Sequence, residues 1–220
     1  MRYDPNSGDI TMFHDATERT NGLILDRSRR LYGCSQNRGA IVRFEDDGSL
    51  TTIVGIYEGK RLNSPNDLAI DEQGSIWFTD PRYDDLAPPR ELEHMSVYRA
   101  DPGPQDSWCL ERVTFDTTRP NGILVSPDNS ELFVSQAGRG PEEKCELRAY
   151  PIRDSGVLGR YRVVHNFYPY RSIDGMCFDS EGCIIAAAGH DMGGAGPMVY
   201  VLEQNGRILE THPTPVDNPT

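Results

Sequence analysis

The sequence predicts an all-β fold of the propeller type, and three observations carry that prediction. A four-strand pattern recurs along the chain, each copy opens on the same kind of residue, and no stretch shows sustained 3.6-residue helical periodicity. The copies begin NGLILDRSRRLYGCS (21–35), NDLAIDEQGSIWFTD (66–80), NGILVSPDNSELFVS (121–135) and DGMCFDSEGCIIAAA (174–188). Each starts with Asn or Asp followed by Gly or Asp, then a short apolar strand, a polar turn and a second apolar strand. The starts at 21, 66, 121 and 174 set a repeat of 45 to 55 residues, which suits four-stranded blades. A sandwich also repeats strands, but a fixed period with a recurring start residue favours radial repetition.

The elements follow in order. Residues 1–15 (RYDP, ITMFHD) read as the last two strands of an earlier blade. The second halves of the four units are AIVRFEDDG with LTTIVG, SVYRAD with LERVTFD, ELRAYPI with YRVVHNF, and MVYVLEQNG with ILETHPT. Val, Ile, Tyr, Phe and Thr dominate these runs, and EDDG, DEQG, SPDN and DSEG supply hairpin turns. The final THPTPVDNPT reads as the approach to a further blade. Since a propeller closes on itself to remove sheet edges, the expectation is one propeller domain over 1–220, incomplete at both ends.

Lys and Arg total 22 against 34 Asp and Glu, a net charge of −12. Such a surface repels phosphate backbones and anionic lipid, which argues against nucleic acid and membrane as partners, and it attracts cations. The five cysteines (34, 109, 145, 177, 183) form no CxxC pair and are odd in number. Buried free thiols are expected rather than a disulfide framework or a zinc knuckle, although a Cys177–Cys183 bridge between neighbouring strands is conceivable. The N-terminus lacks the basic-then-apolar pattern of a signal peptide, which favours a cytoplasmic protein.

The first strand of each blade lies nearest the axis, so equivalent positions in successive first strands converge. Asn66, Asn121 and Asp174 occupy one such position, and Asn21 occupies it in a further blade. Amide and carboxylate oxygens are hard ligands, suited to Ca²⁺, Mg²⁺ or Mn²⁺. Taken singly, each Asn is an ordinary turn former. The recurrence in register is what points to a site.

The stretch RLNSPNDLAIDEQGSIWFTDPRY (61–83) resembles the hallmark of the gluconolactonase and regucalcin (SGL) family. RPNGILVSPDNSELFVS (119–135) and IDGMCFDSEGCIIAAAG (173–189) resemble its second and third hallmarks, in the same order. This resemblance implies a six-bladed propeller with one divalent cation in its central channel. It implies Asn121 and Asp174 as metal ligands, and Asn66 as a contact to substrate, to bound water or to the metal. Ca²⁺ is the first candidate, with Zn²⁺, Mg²⁺ and Mn²⁺ behind it. The family's remaining ligand, a Glu, lies in opening strands ahead of residue 1, and nothing here replaces it. The family arginine that binds substrate two residues before the first Asn is Ser64 here; Arg61 is nearby and is not assigned that role.

The implied activity is hydrolysis of a sugar lactone, a carboxylic ester, with Asp174 as the catalytic proton acceptor and the amides in positioning roles. No GxSxG elbow or HExxH pair offers another chemistry. The alternatives are a non-catalytic propeller that binds a ligand or protein, and a related metal-dependent esterase or phosphotriesterase. Among other residues, Trp77 and Phe78 are expected in the sheet core, and Asp80 in a structural turn. His190 and Asp191 are expected in a Gly-rich surface loop, and Glu45, Asp46 and Asp47 at a hairpin tip.

Overall fold

The computed structural model describes residues 1–83, 90–138, 142–191 and 193–220. Four sheets of four antiparallel strands follow one another along the chain. The first holds β3 (Thr20–Leu25), β4 (Leu31–Ser35), β5 (Ala40–Phe44) and β6 (Leu50–Val54). The second holds β9 (Leu68–Ile70), β10 (Ile76–Asp80), β11 (Ser96–Pro102) and β12 (Trp108–Arg112). The third holds β13 (Pro120–Val125), β14 (Glu131–Ala137), β15 (Cys145–Pro151) and β16 (Arg162–Asn166). The fourth holds β17 (Ile173–Phe178), β18 (Ile184–His190), β19 (Gly193–Leu202) and β20 (Ile208–Pro213). Within each sheet the spatial order is the chain order, a meander. Two short hairpins stand apart: β1 (Arg2–Tyr3) with β2 (Ile10–Thr11), ahead of the first sheet, and β7 (Ile56–Tyr57) with β8 (Lys60–Arg61), between the first and second. Among the described residues the helical elements are two 3-10 turns, Pro104–Asp106 and Asp154–Gly156, each joining the third and fourth strands of a blade.

The first strands pack in series, β3 against β9, β9 against β13 and β13 against β17. That contact makes the sheets propeller blades around a shared axis. The cores lie between blades. Tyr32, Cys34 and Ile41 of the first blade meet Phe78 and Tyr98 of the second. Trp77 and Val97 of the second meet Ile123, Leu132 and Val134 of the third. Phe133 and Leu147 of the third meet Ile173, Ile184 and Leu202 of the fourth. Both faces of β10 are therefore covered, with Phe78 on one and Trp77 on the other. This explains why IWFTD reads as a continuous apolar run rather than an alternating one. The final strand, β20, is exposed along its length, as are Leu23 and Leu25 of β3.

Glu45–Gly48 is a turn, with the Gly48 N–H donating to the Glu45 carbonyl at 3.0 Å. All five cysteines are free, but only Cys34 and Cys145 are buried; Cys109 and Cys177 are exposed and Cys183 lies between. The Cys177–Cys183 bridge does not form, because the β17–β18 register sets Cys177 opposite Ile185. The Gly-rich stretch after 189 is not simply a surface loop. Strand β18 runs through His190, and β19 resumes at Gly193.

Asp80 proves to be a buried latch. Its Oδ2 accepts the Asn63 N–H at 2.9 Å and its Oδ1 the Ser64 N–H at 2.8 Å, pinning the segment that leads to Asn66. Burial pushes its carboxyl up to about 7, against the opposing pull of those two donors. A carboxyl raised in the folded state stabilises the fold fully below its unfolded value, about 4. That contribution is lost as pH rises through about 7. Asp80→Asn removes the titration and leaves one of the two N–H groups without an acceptor. The expected result is a loss of about 1–3 kcal/mol and a shallower fall of melting temperature between pH 5 and 8. Calorimetric melts across that range check both; an unchanged pH slope would remove Asp80 as its source.

Candidate active site at the mouth of the blade axis

Asn21, Asn66, Asn121 and Asp174 line one pocket of about 630 Å³ at one end of the first strands. The local backbone that places them there is a β-bulge. Between Thr20↔Ser35 and Leu23↔Gly33 the first strand carries one residue more than its partner. The same slip occurs between Pro120↔Gln136 and Ile123↔Val134, and between Ile173↔Ala188 and Met176↔Ala186. The second blade does likewise: the Asn66 N–H donates to the Thr79 carbonyl at 2.9 Å, and the Thr79 N–H donates to the Asp67 carbonyl at 3.0 Å. In each blade the Asn or Asp falls in the irregular step, where a bulge re-aims a side chain. The sequence reading placed these residues at the starts of the first strands, and in three blades each is the second residue of its strand.

The residue after the donor has its own reason. Gly22 and Gly122 do not have the positive φ that turn glycines need. A Cβ on Gly122 would lie 2.3 Å from the Asp174 carbonyl oxygen, and one on Gly22 would lie 2.8 Å from the Asn66 carbonyl. These glycines let neighbouring first strands touch, and the Gly22 N–H donates to the Asn66 carbonyl at 2.9 Å. The second blade has Asp67 there. Its carboxylate accepts the Ile123 N–H of the next blade at 3.1 Å, as well as the Leu68 N–H at 2.9 Å. Burial, aided by the Asp174 charge, raises the Asp67 carboxyl to about 6 despite those two bonds.

The donors differ in surroundings. Asn66 and Asn121 are buried, and the Asn121 Oδ1 has no hydrogen-bond partner among the described residues. A buried amide oxygen without a donor needs a ligand or water, because leaving it unmatched is costly. Asp174 is partly exposed, and its Oδ2 accepts from the Arg171 Nη2 at 2.5 Å. Asn21 is exposed. No cluster of three His, Cys, Asp or Glu side chains occurs among the described residues, so any metal would rest on a mixed amide and carboxylate set. Two hard amide oxygens, one of them orphaned, and one carboxylate fit part of the shell of a hard divalent cation.

His190 and Asp217 also line the pocket, as do three arginines: Arg19, Arg119 and Arg171. The sequence reading did not select the arginines. Their signal was available, since Arg19 and Arg119 stand two residues before Asn21 and Asn121 and Arg171 stands three before Asp174. Arg61, by contrast, is a clamp. It donates to the Gln36, Asn37, Leu62 and Asn63 carbonyls, joining the first and second blades.

Fold and site together define a β-propeller that presents amide and carboxylate oxygens into a pocket at one end of its axis. The chain belongs to the SMP-30/Gluconolactonase/LRE-like family, whose sequence profile matches residues 1–220. It is 27% identical over 202 residues to a gluconolactonase of Zymomonas mobilis subsp. mobilis, covering 86% of this chain and 53% of that protein. The chain thus spans about half the length of that relative. A solved gluconolactonase of Xanthomonas campestris is 38% identical with a TM-score of 0.77; the match covers 93% of this chain and 65% of that one. Regucalcin of Agrobacterium tumefaciens, described as a calcium-binding protein, shares the fold at 18% identity and a TM-score of 0.72, over 97% of this chain and 66% of that one.

Proposed function

We propose that this chain carries the pocket of a metal-dependent lactone hydrolase, and that Asn66, Asn121 and Asp174 hold one divalent cation, Ca²⁺ first. The observation that carries the reading is the convergence of three oxygen donors from three blades, one of them a buried amide oxygen with no partner. The family membership and the gluconolactonase relatives supply the lactone. The match takes in 65% of the Xanthomonas chain and this chain holds four blades; a share near four sixths supports a six-bladed whole.

A cation held there supplies Lewis-acid polarisation of the ester carbonyl. The chain's own groups do the rest. Arg171 engages Oδ2 of Asp174, leaving Oδ1 to accept a proton as water attacks the carbonyl carbon. The ring C–O bond breaks, the proton passes to the departing alkoxide, and a hydroxy acid results. Asn66 and Asn121 do not titrate, so they coordinate and orient.

Asn121→Ala removes the orphaned oxygen. The expected result is cation affinity lowered at least about tenfold, equivalent to about 1.4 kcal/mol, in a calorimetric titration with Ca²⁺. Chelation with EDTA should abolish hydrolysis of glucono-δ-lactone, and Ca²⁺ should restore it. Unaltered affinity in the variant, or full turnover under chelation, would end this reading.

A further inference from the structure

Asn66 and Asn121 are the buried oxygen donors of the pocket, and each follows a segment that a buried side chain of the neighbouring strand grips by its N–H groups. In the second blade that side chain is Asp80, which accepts the N–H groups of Asn63 and Ser64, three and two residues ahead of Asn66. The third blade uses an amide. Gln136, on β14, is 1% exposed. Its Oε1 accepts the Thr118 N–H at 3.2 Å and the Arg119 N–H at 3.4 Å, three and two residues ahead of Asn121. Its Nε2 donates to the Thr118 hydroxyl oxygen at 2.6 Å. The next residue completes the grip from the main chain, where the Ala137 N–H donates to the Arg119 carbonyl at 2.9 Å.

The two latches do not align in the repeat. Asp80 stands fourteen residues after Asn66, and Gln136 stands fifteen after Asn121. They coincide only in the fold. Pro120 pairs with Gln136, and regular pairing resumes at Ile123 opposite Val134. Asn121 falls between these two pairs, so the ladder position on its N-terminal side is that of Gln136. In the first blade the leading segment is met differently. The Ser35 hydroxyl donates to the Glu18 carbonyl at 3.1 Å, and Asn21 is exposed. Ala137 and Gly138 line the pocket, whereas Gln136 does not.

A ligand oxygen holds a cation only as firmly as its own backbone is held, and groups one bond removed from a ligand shift metal affinity for that reason. We propose that Gln136 is a positioning residue of the cation site, which sets the aim of the Asn121 side-chain oxygen by fixing Thr118 and Arg119. The role deepens the hydrolase reading and rests on it for the cation.

The test is calorimetric titration with Ca²⁺ of the wild type and of Gln136→Met, Gln136→Glu, Ser126→Ala and Asn121→Ala, all well below their melting temperatures. Methionine keeps the length of the side chain and loses both its acceptor and its donor. Gln136→Met should bind Ca²⁺ about tenfold more weakly, the lower end of what losing an outer partner of a ligand costs. Gln136→Glu keeps an acceptor for both N–H groups and should hold affinity at or above the wild-type level. Ser126 supplies the matched structural loss. It is buried at the other end of the same strand pair, where its hydroxyl accepts the Ser130 N–H at 3.0 Å and the Glu131 N–H at 2.9 Å. Ser126→Ala should lower the melting temperature of the metal-free protein, as Gln136→Met does, and leave Ca²⁺ binding unchanged. A Gln136→Met protein that binds Ca²⁺ as tightly as wild type, beside a weakened Asn121→Ala protein, would overturn the positioning role and leave the cation site standing. Equal losses in Gln136→Met and Gln136→Glu, or in Gln136→Met and Ser126→Ala, would overturn it too. Unchanged binding in Asn121→Ala refutes the ligand itself, and the positioning role falls with it. If Gln136→Met does not fold, Thr118→Val takes its place, since Thr118 is exposed and its hydroxyl is the acceptor for Gln136 Nε2. Affinity should then fall about twofold or more, the worth of one hydrogen bond, and an unchanged value overturns the role.

Discussion

Asp174→Ala is expected to lower lactone hydrolysis by at least about a thousandfold, within the range that loss of a general base produces. Two contributions combine. The carboxylate is the one anionic member of the proposed donor set, and its Oδ1 is the proposed proton acceptor. Its removal also strips Arg171 of its ion pair and leaves a cation where a metal would sit. Asp174→Asn separates charge from shape, since it keeps the size and one oxygen. If charge governs, the two variants fall together; if coordination by one oxygen suffices, Asn retains most of the activity. Initial rates at constant pH give the comparison, Ca²⁺ titration gives the affinity, and thermal melts confirm that both variants fold. An Asp174→Ala protein keeping more than a tenth of wild-type turnover would exclude this residue from the chemistry.

Gly122→Ala is expected to be a damaging single methyl addition at the site. The new Cβ would lie 2.3 Å from the Asp174 carbonyl oxygen, which is main chain and cannot rotate aside. Relief requires moving β13 away from β17. Overpacking of this kind costs about 1–3 kcal/mol, occasionally more. For a chain of this size that lowers the melting temperature by about 2–12 °C. Activity should fall by more than stability explains, because β13 carries Asn121 and the strand it moves away from carries Asp174. Gly175→Ala is the matched control. It follows a donor in the same motif, yet its nearest neighbour is 3.7 Å away, at Thr220, so little change is expected. Equal melting temperatures for the two variants would show that the blades have slack at this contact.

The repeat made four blades legible because an alternating strand and a hairpin turn leave a local mark, as in NDLAIDEQGSIWFTD. Trp77 and Phe78 were legible as core, though not that they serve two different cores. The position of Asn66, Asn121 and Asp174 at one mouth was legible from their register in the repeat. What the register concealed was the bulge. One extra residue shifts pairing without disturbing the apolar alternation that follows, so the irregular step at Asn121-Gly122 left no mark in the pattern. The glycine's purpose is a contact between blades, which no local pattern encodes. The arginines were missed for a related reason. They lie on connecting segments, and only the closure of successive blades brings Arg19, Arg119 and Arg171 into one space.

At Gly22 and Gly122 the interval between neighbouring first strands is fixed by peptide groups in direct touch, with no side-chain layer between them. Apolar layers farther out can drift in composition and alter stability while the calibre of the opening holds. Farther out, a Leu-to-Ile exchange costs little; at the hub, a single carbon resets the gauge.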